Sequence, residues 1–199
     1  MKKTVTKILA ILLAAAMLFA LSACSKPEEK AEEAVNNLFT SLQKSDLQSA
    51  DQYLSEPFKG DAESQNMAVE FLQPILEKMS YKVTGVGKFD SGKVDVTVEI
   101  TAPDMGVVVK DFLVELLSKS ISGLLSADGI KEDELKQEGM KILREILAKE
   151  DLEMKTTTVQ LAVNKTDDGW KIDFENELFD AITGGLSDAF TQISDIFGG

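Results

Sequence analysis

The chain has no histidine, and that absence removes more chemistry than any residue present adds. Without an imidazole there is no Ser–His–Asp or Cys–His nucleophile, and no histidine-ligated zinc. Cysteine is almost as scarce. Cys24 stands alone, so no internal disulfide can form and the fold must rest on its core. A phosphate loop is missing too, since Gly85-Val86-Gly87 lacks the rest of either nucleotide-binding signature. Basic residues are outnumbered, 21 against 34 acidic ones, for a net charge of −13. Such a surface repels phosphate backbones, so nucleic acid is not an expected partner.

What remains is a globular composition, 44% apolar and 28% charged, preceded by a start of a different kind. Lys2, Lys3 and Lys7 are the only charges before Cys24, so residues 24–199 carry 18 basic against 34 acidic side chains, a balance of −16. Met1–Lys7 is a cationic opening, Ile8–Ala20 an unbroken apolar run, and Leu21-Ser22-Ala23-Cys24 closes it with small residues. From Ile8 to Ala23 there are 16 residues. At helical rise these span roughly 24 Å, against a hydrocarbon core of about 30 Å. The pattern predicts an export signal over residues 1–23 rather than a membrane span.

Leu21-Ser22-Ala23-Cys24 resembles the lipobox of bacterial lipoproteins: an aliphatic residue, two small residues, then cysteine. The resemblance implies cleavage between Ala23 and Cys24 and a diacylglyceryl thioether on the Cys24 sulfur. It also implies an extracytoplasmic domain in the cell envelope, held to a membrane through two acyl chains. Residues 24–30 are expected to be the lipidated cysteine and a short linker, and 31–199 a single domain.

Along that domain the hydrophobic period changes several times. Pro27 with Glu28 and Glu29 suits a helix start, and Ala31, Ala34, Val35, Leu38, Phe39 and Leu42 fall on one stripe. Asp46 is placed as the N-cap of a shorter helix. A third helix is predicted over about 62–79, kinked or broken at Pro74. The period then becomes two. Tyr81–Phe89 is a loose strand, Asp90-Ser91-Gly92 a turn, and Val94, Val96, Val98 and Ile100 one face of a clear strand. A helical insertion over 106–149 follows, with Val109, Phe112, Leu113, Leu116, Leu117, Ile121, Leu124 and Leu125 predicted inward. Lys110, Asp111, Glu115 and Lys119 lie opposite. Strands return at Met154–Asn164 and Trp170–Phe174 around an Asp167-Asp168-Gly169 turn, before a last amphipathic helix over Asn176–Phe197 that Gly184-Gly185 weakens in the middle.

Segregated helices and hairpins predict an α+β fold: N-terminal helices, a four-stranded curved antiparallel sheet made of two hairpins, a helical insertion between them and a C-terminal helix. Over Tyr81–Asp104 and Thr156–Phe174, ending in Gly169-Trp170-Lys171-Ile172, the pattern resembles the cystatin-like cone fold of the nuclear transport factor two superfamily. Its bacterial members include uncharacterised lipoproteins. The superfamily also includes isomerases with an acidic base in the cone, so Asp95, Glu99, Asp173 and Glu175 are weighed as catalytic carboxylates. By parity they fall opposite the valines, on the solvent face, where nothing raises a carboxylate pKa. Neither Asp167-Asp168-Gly169 nor the acidic stretch Asp128–Glu134 has the alternating oxygen ligands of a calcium loop.

The expectation is therefore a non-catalytic, membrane-anchored domain with no metal and no cofactor. It would bind an apolar ligand between sheet and helices, in a candidate pocket of Val96, Val98, Leu161, Trp170 and Ile172, or an envelope protein. The alternatives are a carboxylate enzyme in the cone, or an assembly factor docking through the 106–149 helices. An open apolar cavity favours the ligand; a closed core with an exposed apolar stripe favours the assembly factor.

Overall fold

In the computed structural model, which describes residues 26–58, 62–124 and 132–197, the chain is α+β, as the change of period predicts. Residues 1–23, expected to be an export signal, and Cys24, the expected lipidation site, lie outside the described residues, as does the predicted break at Ala127-Asp128-Gly129.

Helix α1 spans Pro27–Gln43, and its buried residues are the six of the predicted stripe. Lys26 caps it, with the Glu29 carboxylate accepting from the Lys26 N–H at 3.3 Å. Residues 27–30, expected as linker, are thus the first turn of this helix, because Pro27 presets the helical φ and loses no needed N–H there. Helix α2, Leu47–Asp51, is capped by Asp46, which accepts from Ser49 N at 3.0 Å. Helix α3, Ala62–Leu76, runs through Pro74 without a break and ends two residues later. Proline withholds one N–H from the ladder, yet Glu77 N still donates to Gln73 O at 2.9 Å.

Four antiparallel strands follow in the order β1-β2-β3-β4: Ser80–Val86, Lys93–Pro103, Met154–Thr166 and Gly169–Ile172. The Asp90–Lys93 turn closes with reciprocal 2.9 Å backbone bonds, and Ser91 and Gly92 both have positive φ. That geometry matches the right-handed twist of a hairpin. Strand β1 carries a bulge, since Val83 faces Val98 while Gly85 already faces Thr97. One extra residue shifts the phase, so Val86 pairs with Val96 on the apolar side. Strands β2 and β3 pair over eleven positions, from Lys93↔Asn164 to Pro103↔Met154.

Between β2 and β3 lie α4, Met105–Leu124, and α5, Glu132–Leu147. The single closing helix expected over 176–197 is two: α6, Asn176–Ile182, and α7, Leu186–Phe197. Gly184 and Gly185 separate them at φ +65 and +87, a conformation that side chains with a Cβ resist. Gly184 also backs directly onto the Pro103 carbonyl, and its own carbonyl accepts from Met105 N at 3.1 Å.

Two apolar cores result. The larger lies between the sheet and α1, α2 and α6; the smaller is shared by α3, α4, α5 and α7. Helix α3 joins them. Leu76 packs into the first, Ile75 into the second, and Leu72 against both.

Candidate functional site

The apolar face of the sheet is sealed. Val94, Val96, Val98 and Ile100 of β2, Val163 of β3 and Ile172 of β4 have no exposed surface, and Leu161 has 4%. Alternation put these residues on one face, and α1 and α6 lie across it. Of the five residues expected to line a pocket, Val96, Val98, Leu161 and Ile172 are therefore packing residues of the core. The structure does not gather them around an open space, because more apolar helix surface reaches the sheet than a hollow would require. Trp170 alone reaches a sizeable concavity, while Leu161 touches only a small recess.

That concavity is open and polar, about 800 Å³, between α1, the exit of α2 and the β3–β4 turn. Helix α1 contributes Lys30, Glu33 and Asn37; Gln52 and Tyr53 follow α2; Asp168, Trp170 and Lys171 come from the turn and β4. Two bonds build its floor. Ile172 N donates to Tyr53 O at 2.7 Å, and Lys171 Nζ donates to Gln52 O at 2.7 Å. Trp170 packs edge-on against Phe89, with ring centroids 5.9 Å apart. Sequence reasoning named Trp170 and missed the rest. Lys30, Glu33 and Asn37 read as the solvent side of an amphipathic helix, and only the tertiary fold brings them to the turn.

Asp95 and Glu99 sit on the open face of β2, as parity predicts, whereas Asp173 and Glu175 lie beyond the end of β4, where strand parity no longer applies. Glu99 and Glu175 are exposed. Asp95 pairs with Lys93 at 2.8 Å, and that hydrogen bond and charge hold the Lys93 ammonium above its ordinary pKa. Asp173 accepts from Ser55 Oγ at 2.6 Å and from Asn164 Nδ2 at 3.0 Å, so its oxygens serve the sheet edge. Asp173 and Glu175 also line a small recess of about 50 Å³ with Leu161. Among the described residues no three acidic, histidine or cysteine side chains are placed to hold a metal ion. Among them too, no helix is long and apolar enough to cross a membrane.

The insertion departs from its expected facing. Met105, Val108, Ile142, Leu143, Ile146 and Leu147 are buried, with Val109, Phe112 and Leu116 packed against them. Leu117, predicted inward, is 58% exposed, and Val114 is 60% exposed. Lys119 and Asp111, predicted on the polar side, keep 38% and 40% of their side-chain surface exposed and pair there with Glu138 on α5 and with Lys149 just beyond it. Each of these ion pairs holds its lysine pKa up, through the side-chain hydrogen bond first, and the bond from Lys119 likewise holds the Glu138 pKa down. Burial of Met105, Val108, Phe112 and Leu116 in the second core sets the roll of α4, and that roll leaves Val114 and Leu117 outward.

No protein-family model matches the chain, and no curated protein matches it. Among solved structures it is similar to an NTF-2 like protein of unknown function from Shewanella oneidensis. The identity is 11%, over 74% of this chain and 94% of the other, with a TM-score of 0.36. The likeness is loose, and no residue's role is carried over from it.

Proposed function

We propose that this chain is an envelope lipoprotein, acylated at Cys24, whose cone-like domain is a non-catalytic docking module for a protein partner. The anchor reading is supported by Leu21-Ser22-Ala23-Cys24 behind a cationic and then apolar start. The docking reading is carried by one observation. The α4 helix is packed on one side by the second core yet presents Val114 and Leu117, one turn apart, at 60% and 58% exposure. Exposed apolar pairs on a helix face suit a partner's apolar surface. An apolar small ligand is the weaker reading, since Val96, Val98 and Ile172 leave it no surface to touch. A carboxylate enzyme is weaker still, because Asp95 and Asp173 are engaged with Lys93, Ser55 and Asn164 in the open.

The test is site-specific photo-crosslinking in the producing cells, from position 117 and from position 82 on β1 as a distant control. The reading predicts one discrete adduct from 117, absent from 82 and lost when Val114→Lys is added. A smear from both positions, or no adduct from either, contradicts it.

A further inference from the structure

We infer that the end of the domain formed by Val86, Phe89 and Trp170 rests on the bilayer surface, seated on a zwitterionic lipid interface. This rests on the acylation of Cys24 and goes beyond it by naming the face that the anchor brings to the membrane. The length of chain is the first argument. Only Ser25 and Lys26 separate Cys24 from Pro27, where α1 begins. Cys24 therefore lies within roughly 10 Å of Pro27, and roughly 14 Å of Glu28, at the full extension of a chain.

Glu28 fixes what else is at that end. Its Oε1 accepts from Phe89 N at 3.1 Å, which ties the loop after β1 to the first turn of α1. Phe89 in turn meets Trp170 edge-on, bringing the β3–β4 turn to the same place. Three segments distant in sequence thus converge beside the anchor. Two of the six large apolar side chains exposed among the described residues are here, Val86 at 37% and Phe89 at 38%. Trp170 is half-buried, with Phe89 on one side and the polar cleft on the other. An indole with one apolar and one wet side, flanked by lysines, is the composition that settles at the headgroup boundary.

Charge selects the kind of lipid. Residues 26–30, 88–90 and 165–171 carry Lys26, Lys30, Lys88, Lys165 and Lys171 against Glu28, Glu29, Asp90, Asp167 and Asp168. This end is neutral, on a domain whose side chains sum to −16 from Cys24 onward. The excess negative charge lies elsewhere and would be repelled by anionic lipid, so a surface without net charge is the one on which this end can settle.

Trp170 is the only tryptophan of the chain, so its emission reports this contact alone. The full chain is purified from membranes, its Cys24 acylation read by mass, and reconstituted into phosphatidylcholine vesicles with or without bromine at shallow acyl positions. The inference predicts about twofold quenching of Trp170 by the brominated lipid, as expected for a ring held 5–10 Å into the boundary. Val86→Asp with Phe89→Asp should largely abolish the quenching. Because each side chain is partly covered and Phe89 meets Trp170, the melting temperature should fall somewhat while the circular dichroism of the fold is retained at the assay temperature. Equal emission from both vesicles, on acylated protein, overturns the inference and leaves the lipoprotein reading standing. Full quenching retained by the double variant also overturns it. An unacylated Cys24 removes both.

Discussion

Gly184 occupies a position where a side chain cannot go. A Cβ there would lie 1.8 Å from the Pro103 carbonyl oxygen, at a φ of +65. Gly184→Ala should therefore cost roughly 3 kcal/mol, strain and overpacking together, read as a lower urea midpoint. Gly92 has a similar φ of +87 but open space around it, so Gly92→Ala should cost only about 1 kcal/mol. Equal losses at the two sites would show that the close approach to Pro103 is not real. The carboxylates behave differently. Glu28 is held below its ordinary pKa by its own backbone N–H and then by that of Phe89, and Asp46 by the hydroxyl and N–H of Ser49. A carboxyl whose folded pKa is depressed stabilises the fold above its unfolded value, and that contribution fades as pH falls through the folded one. Melting temperature should drop on acidification below the ordinary carboxylate range. Glu28→Gln with Asp46→Asn should flatten the drop, asparagine keeping the cap while losing the titration. The pair Gly184-Gly185 was legible in the sequence as a weak point in a helix. That it abuts the end of β2 was not, because nothing local to residue 184 encodes the position of Pro103.

At the scale of elements, α1 and β2 were readable almost residue by residue, since each buries one clean stripe against one neighbour. Helix α4 was not. Val107, Val109, Phe112, Leu113, Val114, Leu116 and Leu117 give apolar side chains on more than one side of the helix. Periodicity cannot then say which side the core will take; the tertiary fold decides it, by laying α5 and α7 against the side that carries Met105, Val108, Phe112 and Leu116. The two sides should respond differently to substitution. Val114→Lys with Leu117→Lys should change stability by less than about 0.5 kcal/mol, as surface changes do. Ile142→Ala, on the packed side facing α4, should cost about 2–5 kcal/mol. A double lysine variant that unfolds would mean that α4 is packed by its Leu117 side. Strand β1 was blurred for a related reason. The bulge between Val83 and Gly85 breaks the alternation halfway along, so no single period fits it.

Over the whole molecule, the sealed sheet face and the shared helix α3 make the two cores one cooperative unit. A fragment from Ser25 to Gly199 should unfold in a single transition, with the same midpoint in chelator and in millimolar calcium. Two separated transitions would mean that α3 does not couple the cores, and a calcium-dependent rise would make the acidic turns ligand sites. The α+β order and the buried face could be read from alternation alone. The polar cleft could not, since its walls come from three polar stretches that look like ordinary surface until α1 crosses the β3–β4 turn. The account as a whole depends on Cys24, which would place the neutral, aromatic end of the domain at a membrane and leave α4 facing outward. Its most direct test is the intact mass of the N-terminal peptide from protein extracted from the membrane fraction of the producing cells. The account predicts a peptide beginning at Cys24 and heavier by a diacylglyceryl group. A peptide carrying unmodified Cys24, or one retaining Met1–Ala23, would contradict it.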